Sequence, residues 1–336
     1  LNPSVKNNPL AERLFQLQTK EEFDELALEV YQFQFTHNPV YQQFCTLIHR
    51  TPDQVDKRSS IPFLPIRFFK SHQVIVEGFE PELYFESSGT TGMANSKHLV
   101  ADARLYRRSL LACFEQQFGS PSDWCIIGLL PSYLERPHAS LVWMVQALMD
   151  ASQHPLQGFH LDHTDALQTK LQALEQAQQP TLLFGVTFAL LDWAASFQQH
   201  FQFVRILETG GMKGRGRELI REELHATLQA SFGPAAIWSE YGMTELLSQA
   251  YACGDAGFRG PAWMKLLLRE SDDPFTVVEK TDRPISGTVN VIDLANLYSC
   301  AFIATDDVGR LLPDGSMQIL GRLDYSDMRG CSLLTA

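Results

Sequence analysis

Between residues 103 and 238 the sequence alternates apolar runs of strand length with amphipathic stretches of helix length. The spacing predicts helices over 103–118, 138–153, 165–179, 187–201 and 216–231. It predicts strands over Trp124–Leu130, Thr181–Val186, Phe203–Leu207 and Ala235–Trp238. Leu167, Leu171 and Leu174 share one helix face, as do Ile220, Leu224 and Leu228. Parallel strands need a crossover of helix length, so this order points to an α/β fold with helix-covered, mostly parallel sheets.

The flanks read differently. Residues 1–80 form a helical lead-in: Phe23, Leu26 and Val30 recur at helical spacing, and Phe33, Phe35 and Tyr41 continue the apolar content. Ile61 to Lys70 carries two prolines, Pro62 and Pro65, which predict an extended, buried ledge. Past residue 250, strand candidates Thr288–Ile292, Ala301–Ala304 and Met317–Leu320 are separated by turns such as Pro313-Asp314-Gly315, which predicts a small antiparallel or barrel-like unit. The expected organisation is the lead-in, a core domain over 81–320 with its β-rich unit at 250–320, and a hinge with a mobile tail over 321–336.

Composition narrows the function classes. A chain of 336 residues can bury a large core. Its net charge of −12 disfavours nucleic acid and acidic membrane surfaces as partners. No apolar run reaches the roughly 18 residues of a membrane span. The opening Leu1-Asn2-Pro3-Ser4-Val5-Lys6 shows no signal-peptide pattern. Six scattered cysteines without a Cys-x-x-Cys pair argue against zinc and fit reduced thiols, so a cytoplasmic protein is expected.

Four polar clusters stand at strand ends, where open α/β sheets bind ligands. Leu83-Tyr84-Phe85-Glu86 runs into Ser87-Ser88-Gly89-Thr90-Thr91-Gly92, whose backbone amides and hydroxyls can converge on an anion such as a polyphosphate. A solvated Ser/Gly turn has the same composition. Gly210 and Gly211, in Glu208-Thr209-Gly210-Gly211-Met212, allow close approach to a flat or charged ligand, or simply serve a βα turn. Ser239-Glu240-Tyr241-Gly242-Met243-Thr244-Glu245 joins an aromatic plane, a hydroxyl and a carboxylate. Glu245 suits Mg²⁺ and Thr244 suits a phosphate, while a helix capped by Thr244 is the plainer reading. Thr305-Asp306-Asp307 and Gly321-Arg322-Leu323-Asp324 offer a carboxylate and an arginine for ribose hydroxyls, or an exposed ion pair between turns.

In this order, over about residues 60–331, SSGTTG, TGG, YGMTE, TDD and GRLD resemble the adenylate-forming superfamily. IPFLPIRFFKSHQV before the loop, and the end near MRGCSLL, resemble its LuxE-type acyl-protein synthetases, with phenylacetate–CoA ligases as relatives. The resemblance implies ATP and Mg²⁺ as cofactors and a fatty acid as substrate. It implies an acyl-adenylate with release of pyrophosphate, then transfer of the acyl group to a cysteine near the C-terminus and on to a partner reductase. Residue by residue, it places phosphate on Ser87 to Gly92, the adenine side on Gly210 and Gly211, the nucleotide on Tyr241 and Gly242, and ribose on Asp307 and Arg322. It gives Thr244 and Glu245 the catalytic positions, with the metal on Glu245, places the hinge at Asp324, and matches the acyl-carrying cysteine to Cys331.

Cys331 lies nine residues beyond Arg322. An extended chain of that length spans roughly 30 Å, enough to reach a bound adenylate. Arg329 stands near enough to lower its pKa. Two features depart from the superfamily's pattern. The twelve residues after Asp324 cannot hold the C-terminal domain that carries a catalytic lysine, so Lys97, Lys213, Arg215 and Arg322 become candidates for neutralising charge. The strand also exits as Leu130-Pro131-Ser132-Tyr133 instead of Pro-x-Phe-His. An aryl- or acyl-CoA ligase and a non-catalytic nucleotide- or acyl-binding subunit are the competing readings.

Overall fold

The computed structural model describes residues 8–87, 95–131, 136–162, 165–211, 219–233, 237–270, 273 and 275–323. The lead-in consists chiefly of helices α1 (Lys20–His37) and α2 (Pro39–Leu47). Thr19 opens α1 with a capping box: its side chain accepts from Glu22 N, and the Glu22 carboxylate accepts from Thr19 N. Phe23, Leu26 and Val30 are buried, as their spacing predicts. Asn38 caps α2 through Tyr41 N, with Pro39 at the first helical position.

Two buried amides on this lead-in reach far along the chain. Gln34 Nε2 donates to the carbonyls of Asn296 and Leu297, and Asn38 Nδ2 donates to that of Ser299. Only the first half of the proline ledge is extended: Ile61, Pro62 and Leu64 are buried and strand β1 (Leu64–Pro65) forms there, while Arg67 and Lys70 are exposed. The single helical turn at Phe68–Ser71 was not anticipated; it begins after both prolines, which therefore do not oppose it.

Strands β2 (Leu83–Glu86) and β3 (Lys97–Val100) form an antiparallel pair around the Ser/Thr/Gly loop. The alternation then follows: α3 (Ala103–Phe118), β4 (Cys125–Leu129), α4 (Ser140–Ser152), β5 (Gly158–His160), α5 (Asp165–Gln176), β6 (Thr181–Gly185), α6 (Thr187–Ser196), β7 (Val204–Glu208), α7 (Arg221–Phe232), β8 (Ile237–Tyr241) and β9 (Ala250–Cys253). The strands stand in the order β5-β4-β6-β7-β8-β9, parallel except for β8 with β9. Every residue of β4 and β6 is buried, which is why they read as unbroken apolar runs.

The helix expected over 187–201 ends at Ser196, where Phe197 turns extended. Ile220 does not share the buried face of α7: it precedes the first turn and is 55% exposed, while Leu224 and Leu228 are buried. The strand expected to end at Trp238 continues through Tyr241. Pairing with β9 satisfies the backbone there, so Ser239, Glu240 and Tyr241 are strand residues.

The second sheet contains β10 (Met264–Arg269), β11 (Val277–Val278), β12 (Ile285–Asp293), β13 (Phe302–Leu311) and β14 (Met317–Arg322). Its order is β1-β13-β12-β10-β11, with β14 on β13, and all pairs but β1–β13 are antiparallel. Of the three strand candidates, the first lies within β12, and the other two cover only the beginnings of β13 and β14. Thr305 to Arg310, read as turns, lies inside β13, because β12 and β14 pair with it on both sides. Among the described residues no helix is long and apolar enough to cross a membrane.

Candidate active site

The strand register brings the polar clusters to one edge. Gly185 of β6 pairs with Glu208 of β7, and Glu208 with Ser239 of β8, so the turns after β7 and β8 emerge side by side. Gly210 and Gly211 both have positive φ, 73° and 94°, where a side chain is strained. A Cβ on Gly210 would meet nothing within 4 Å, which leaves its face open to a flat group. The carbonyls of this turn accept from Thr187 N and Phe188 N at the start of α6, and Gly210 N donates to the Glu208 carboxylate at 2.9 Å. Gly210 N is therefore spent inside the protein. The open face of the turn, not an anion nest, is what it can offer.

The Tyr241 hydroxyl donates to Asp307 Oδ2 at 2.7 Å, and Arg322 Nε donates to Oδ1 at 2.9 Å. Asp307 and Arg322 are register partners across β13 and β14. Asp307 is 5% exposed and also receives order from Thr305, whose hydroxyl accepts from Asp307 N. Arg322 stays exposed, and Asp307 holds its guanidinium pKa above the usual value. Tyr241, Asp307 and Arg322 thus form one group. The turn-to-turn surface ion pair is replaced by a buried carboxylate held from two elements.

No helix follows Thr244, so the capping alternative does not apply: a turn leads directly into β9. Buried side chains fix this turn. His98 Nδ1 is 2.8 Å from the Thr244 carbonyl, and Asn296 Nδ2 donates to the Glu245 carbonyl at 2.8 Å. Asp293 accepts from Leu247 N at 2.8 Å, Ser248 N at 3.0 Å and the Ser248 hydroxyl at 2.6 Å. The Glu245 side chain is 5% exposed. Burial raises its pKa, the Ser96 hydroxyl and Arg322 pull it down, and Asp307 adds to the rise. A buried carboxyl with a nearby hydroxyl suits a divalent cation whose other ligands are phosphate oxygens and water. Among the described residues no group of three or more metal-binding side chains gathers.

Ser87 closes the base of the loop: its hydroxyl accepts from Ser96 N at 3.0 Å and its N–H donates to Ser96 O. Ser88, Gly89, Thr90, Thr91 and Gly92 lie outside the described residues, as do Lys213, Arg215, Asp324, Arg329 and Cys331. Lys97 places its ammonium 3.7 Å above the Tyr84 ring, beside the loop. Gly242 abuts Glu240: a Cβ there would lie 2.3 Å from Glu240 Oε1. Burial, and then Glu208, push the Glu240 carboxyl up to about 8.

His98, Asn296, Asp293 and Ser96 carried no motif. The one available signal was a histidine two residues beyond the loop's closing serine, followed directly by the apolar pair Leu99 and Val100.

The family described as "Acyl-protein synthetase, LuxE" matches residues 7–336. A Vibrio harveyi long-chain-fatty-acid–luciferin-component ligase is 24% identical, over 94% of this chain and 87% of that protein. Among solved structures, a 2-hydroxyisobutyryl-CoA ligase in complex with its acyl-AMP and CoA superposes with a TM-score of 0.62 at 13% identity, covering 92% of this chain and 76% of the other. An o-succinylbenzoate-CoA synthetase from Bacillus subtilis gives 0.50 at 14% identity, covering 73% of this chain and 64% of the other. At these identities the superpositions establish the adenylate-forming fold.

Proposed function

Because this chain belongs to the LuxE acyl-protein synthetase family, a family of acid-activating ligases, we propose that it uses ATP and Mg²⁺ to convert a fatty acid to an acyl-adenylate and passes the acyl group to its own Cys331. The fatty acid is carried over from the Vibrio harveyi relative's name. The observation that supports the site best is the union of Tyr241, Asp307 and Arg322, three residues from separate parts of the sequence, at the edge where Gly210 leaves an open face.

In the first step an oxygen of the acid's carboxylate attacks the α-phosphorus of ATP. The bond from that phosphorus to the bridging oxygen breaks, and the electron pair leaves with pyrophosphate. Positioning and charge stabilisation supply most of the acceleration in such transfers. The open face of Gly210 and Gly211 and the ring of Tyr241 take adenine, with Gly242 allowing close approach. Asp307 accepts from the ribose hydroxyls and Arg322 donates to them. Ser87 to Gly92 hold the leaving pyrophosphate and Thr244 orients the α-phosphate. Glu245 would hold Mg²⁺, which neutralises phosphate charge when bound. Of the four candidate cations, Lys97 and Arg322 lie among the described residues.

In the second step the Cys331 thiolate attacks the acyl carbon and AMP departs with the electron pair. The described cysteines are poor candidates for that role. Burial pushes the thiols of Cys45 and Cys113 up to about 12 and that of Cys125 up to about 11, and it raises Cys253 and Cys300 as well. A partner reductase would then accept the acyl group.

ATP–pyrophosphate exchange over a panel of fatty and aromatic acids tests the first step, and intact-protein mass tests the second. The reading expects exchange with fatty acids and a hydroxylamine-sensitive acyl adduct absent from Cys331→Ser. Acyl-CoA formation without an adduct would favour a CoA ligase. Absence of exchange with every acid would leave only a binding subunit.

A further inference from the structure

We propose that His98 is a positioning residue for adenylate formation: its Nδ1–H holds the Thr244 carbonyl, while Asn296 holds the Glu245 carbonyl, so that the backbone carrying both catalytic side chains is fixed from the phosphate-loop hairpin. The proposal rests on the roles given above to Thr244 and Glu245.

The proton count sets the tautomer. A carbonyl oxygen only accepts, so a 2.8 Å contact to Thr244 O requires the proton on His98 Nδ1. His98 is wholly buried, and Nε2 has no hydrogen-bond partner among the described residues. Burial pushes the ring's pKa down to about 4, with the Thr244 carbonyl and the Asn296 amide pulling the other way, so the ring is neutral at pH 7. Neutral imidazole carries one proton, and here the Thr244 bond claims it.

The neighbours remove the remaining freedom. Phe69 meets the His98 ring edge-on at 5.7 Å between centroids. Asn296 is itself wholly buried, and Gln34 on α1 grips its backbone carbonyl. Consecutive carbonyls, at 244 and 245, are thus bound by side chains from opposite directions along the sequence. Phe85 pairs with His98 across β2 and β3, one residue pair in from the loop. A displacement of that hairpin is therefore felt at the Thr244 peptide.

A merely space-filling histidine would make a different prediction. Any side chain of similar bulk would then serve. The positioning role demands a donor where Nδ1 stands. Asparagine puts its amide nitrogen near that place, glutamine puts it near Nε2, and leucine offers none. The test uses the full chain as wild type, His98→Asn, His98→Gln and His98→Leu, each compared by thermal unfolding and by fatty-acid-dependent ATP–pyrophosphate exchange. We expect kcat to fall about 100-fold in His98→Gln and His98→Leu with the ATP KM moving less than about threefold, and His98→Asn to recover most of the loss. Equal kcat in all three variants, or losses that follow melting temperature alone, would overturn the role. Spectra of protein carrying ¹⁵N-histidine supply a readout independent of turnover. A neutral Nδ1–H form for His98 supports the assignment and an Nε2–H form overturns it. A wild type that shows no exchange with any acid, yet shows the Nδ1–H form, would strike at the functional reading and leave the carbonyl contact standing.

Discussion

Tyr241 and Asp307, 66 residues apart in sequence, are joined by a buried 2.7 Å hydrogen bond from the phenol to Oδ2. Arg322 occupies the other carboxylate oxygen. An ionised carboxylate offers about four acceptor places, so two remain for a pair of ribose hydroxyls. Asp307→Asn keeps the shape and removes half of that capacity; we expect the ATP KM in pyrophosphate exchange to rise roughly tenfold, about 1.4 kcal/mol. Tyr241→Phe strips one donor from a buried acceptor and should cost about 1–3 kcal/mol in a urea titration. An unchanged ATP KM in Asp307→Asn would remove the ribose assignment.

Glu240 predicts a pH effect with a definite sign. It lies near Tyr106, Tyr251 and Glu208, none of them a cation, and its carboxyl is pushed up to about 8 from an ordinary 4.5. Between those values the folded protein binds a proton that the unfolded chain has released. The stabilisation is complete below about pH 4.5 and is lost as pH rises through 8. Glu240→Gln does not titrate. The stability of the wild type relative to Glu240→Gln should therefore fall from pH 5 to pH 8, by at most about 1.4 kcal/mol per unit. His98 and His225, both pushed down to about 4, act in the opposite sense, but they are common to both proteins and cancel. Parallel urea curves at all four integral pH values would refute the assignment.

Gly242 and Glu240 should be energetically coupled. The methyl of Gly242→Ala would fall 2.3 Å from Glu240 Oε1, the mobile end of a side chain. Because that end can swing aside, the cost should sit at the low end of the roughly 1–3 kcal/mol typical of overpacking. In a Glu240→Ala background the obstacle is gone, so the added methyl should be close to neutral. A double-mutant cycle by chemical unfolding measures this, and additive effects would show that Oε1 is not the group in the way.

What the sequence revealed, and what it hid, follow from range. The helices of the parallel half were legible because each is amphipathic in its own right: Leu167, Leu171 and Leu174 mark a face without outside help. The course of β13 was not legible. Thr305, Asp306 and Asp307 look like a turn until β14 and Tyr241 supply partners, and those partners lie outside any local window. Ile220 failed for the opposite reason: the helical period reaches it, yet the helix begins one residue later. Tyr241, Asp307 and Arg322 were singled out by chemistry and order, and the structure brings them together. The supports His98, Asn296 and Asp293 were not, because a buried hydrogen bond to a backbone carbonyl or amide leaves no spacing to read.

A structural role for Glu245 can be separated from the metal-holding role proposed for it. Its side chain is 5% exposed, and burial is the largest influence on its carboxyl, raising its pKa. Holding that charge in the protein without a cation is therefore costly. Glu245→Gln keeps the volume and abolishes the charge. If the carboxylate serves a bound Mg²⁺, folding without nucleotide should be unharmed or improved by about 1–2 kcal/mol, while pyrophosphate exchange falls by about 100-fold and needs more Mg²⁺ for half-maximal rate. If the carboxylate served only the fold, for instance through the Ser96 hydroxyl, the variant would lose stability and its activity would follow the folded fraction. Urea unfolding and exchange, each measured across a magnesium titration, give opposite signs for the two roles. A destabilised variant with an unaltered magnesium requirement would take Glu245 out of the metal site.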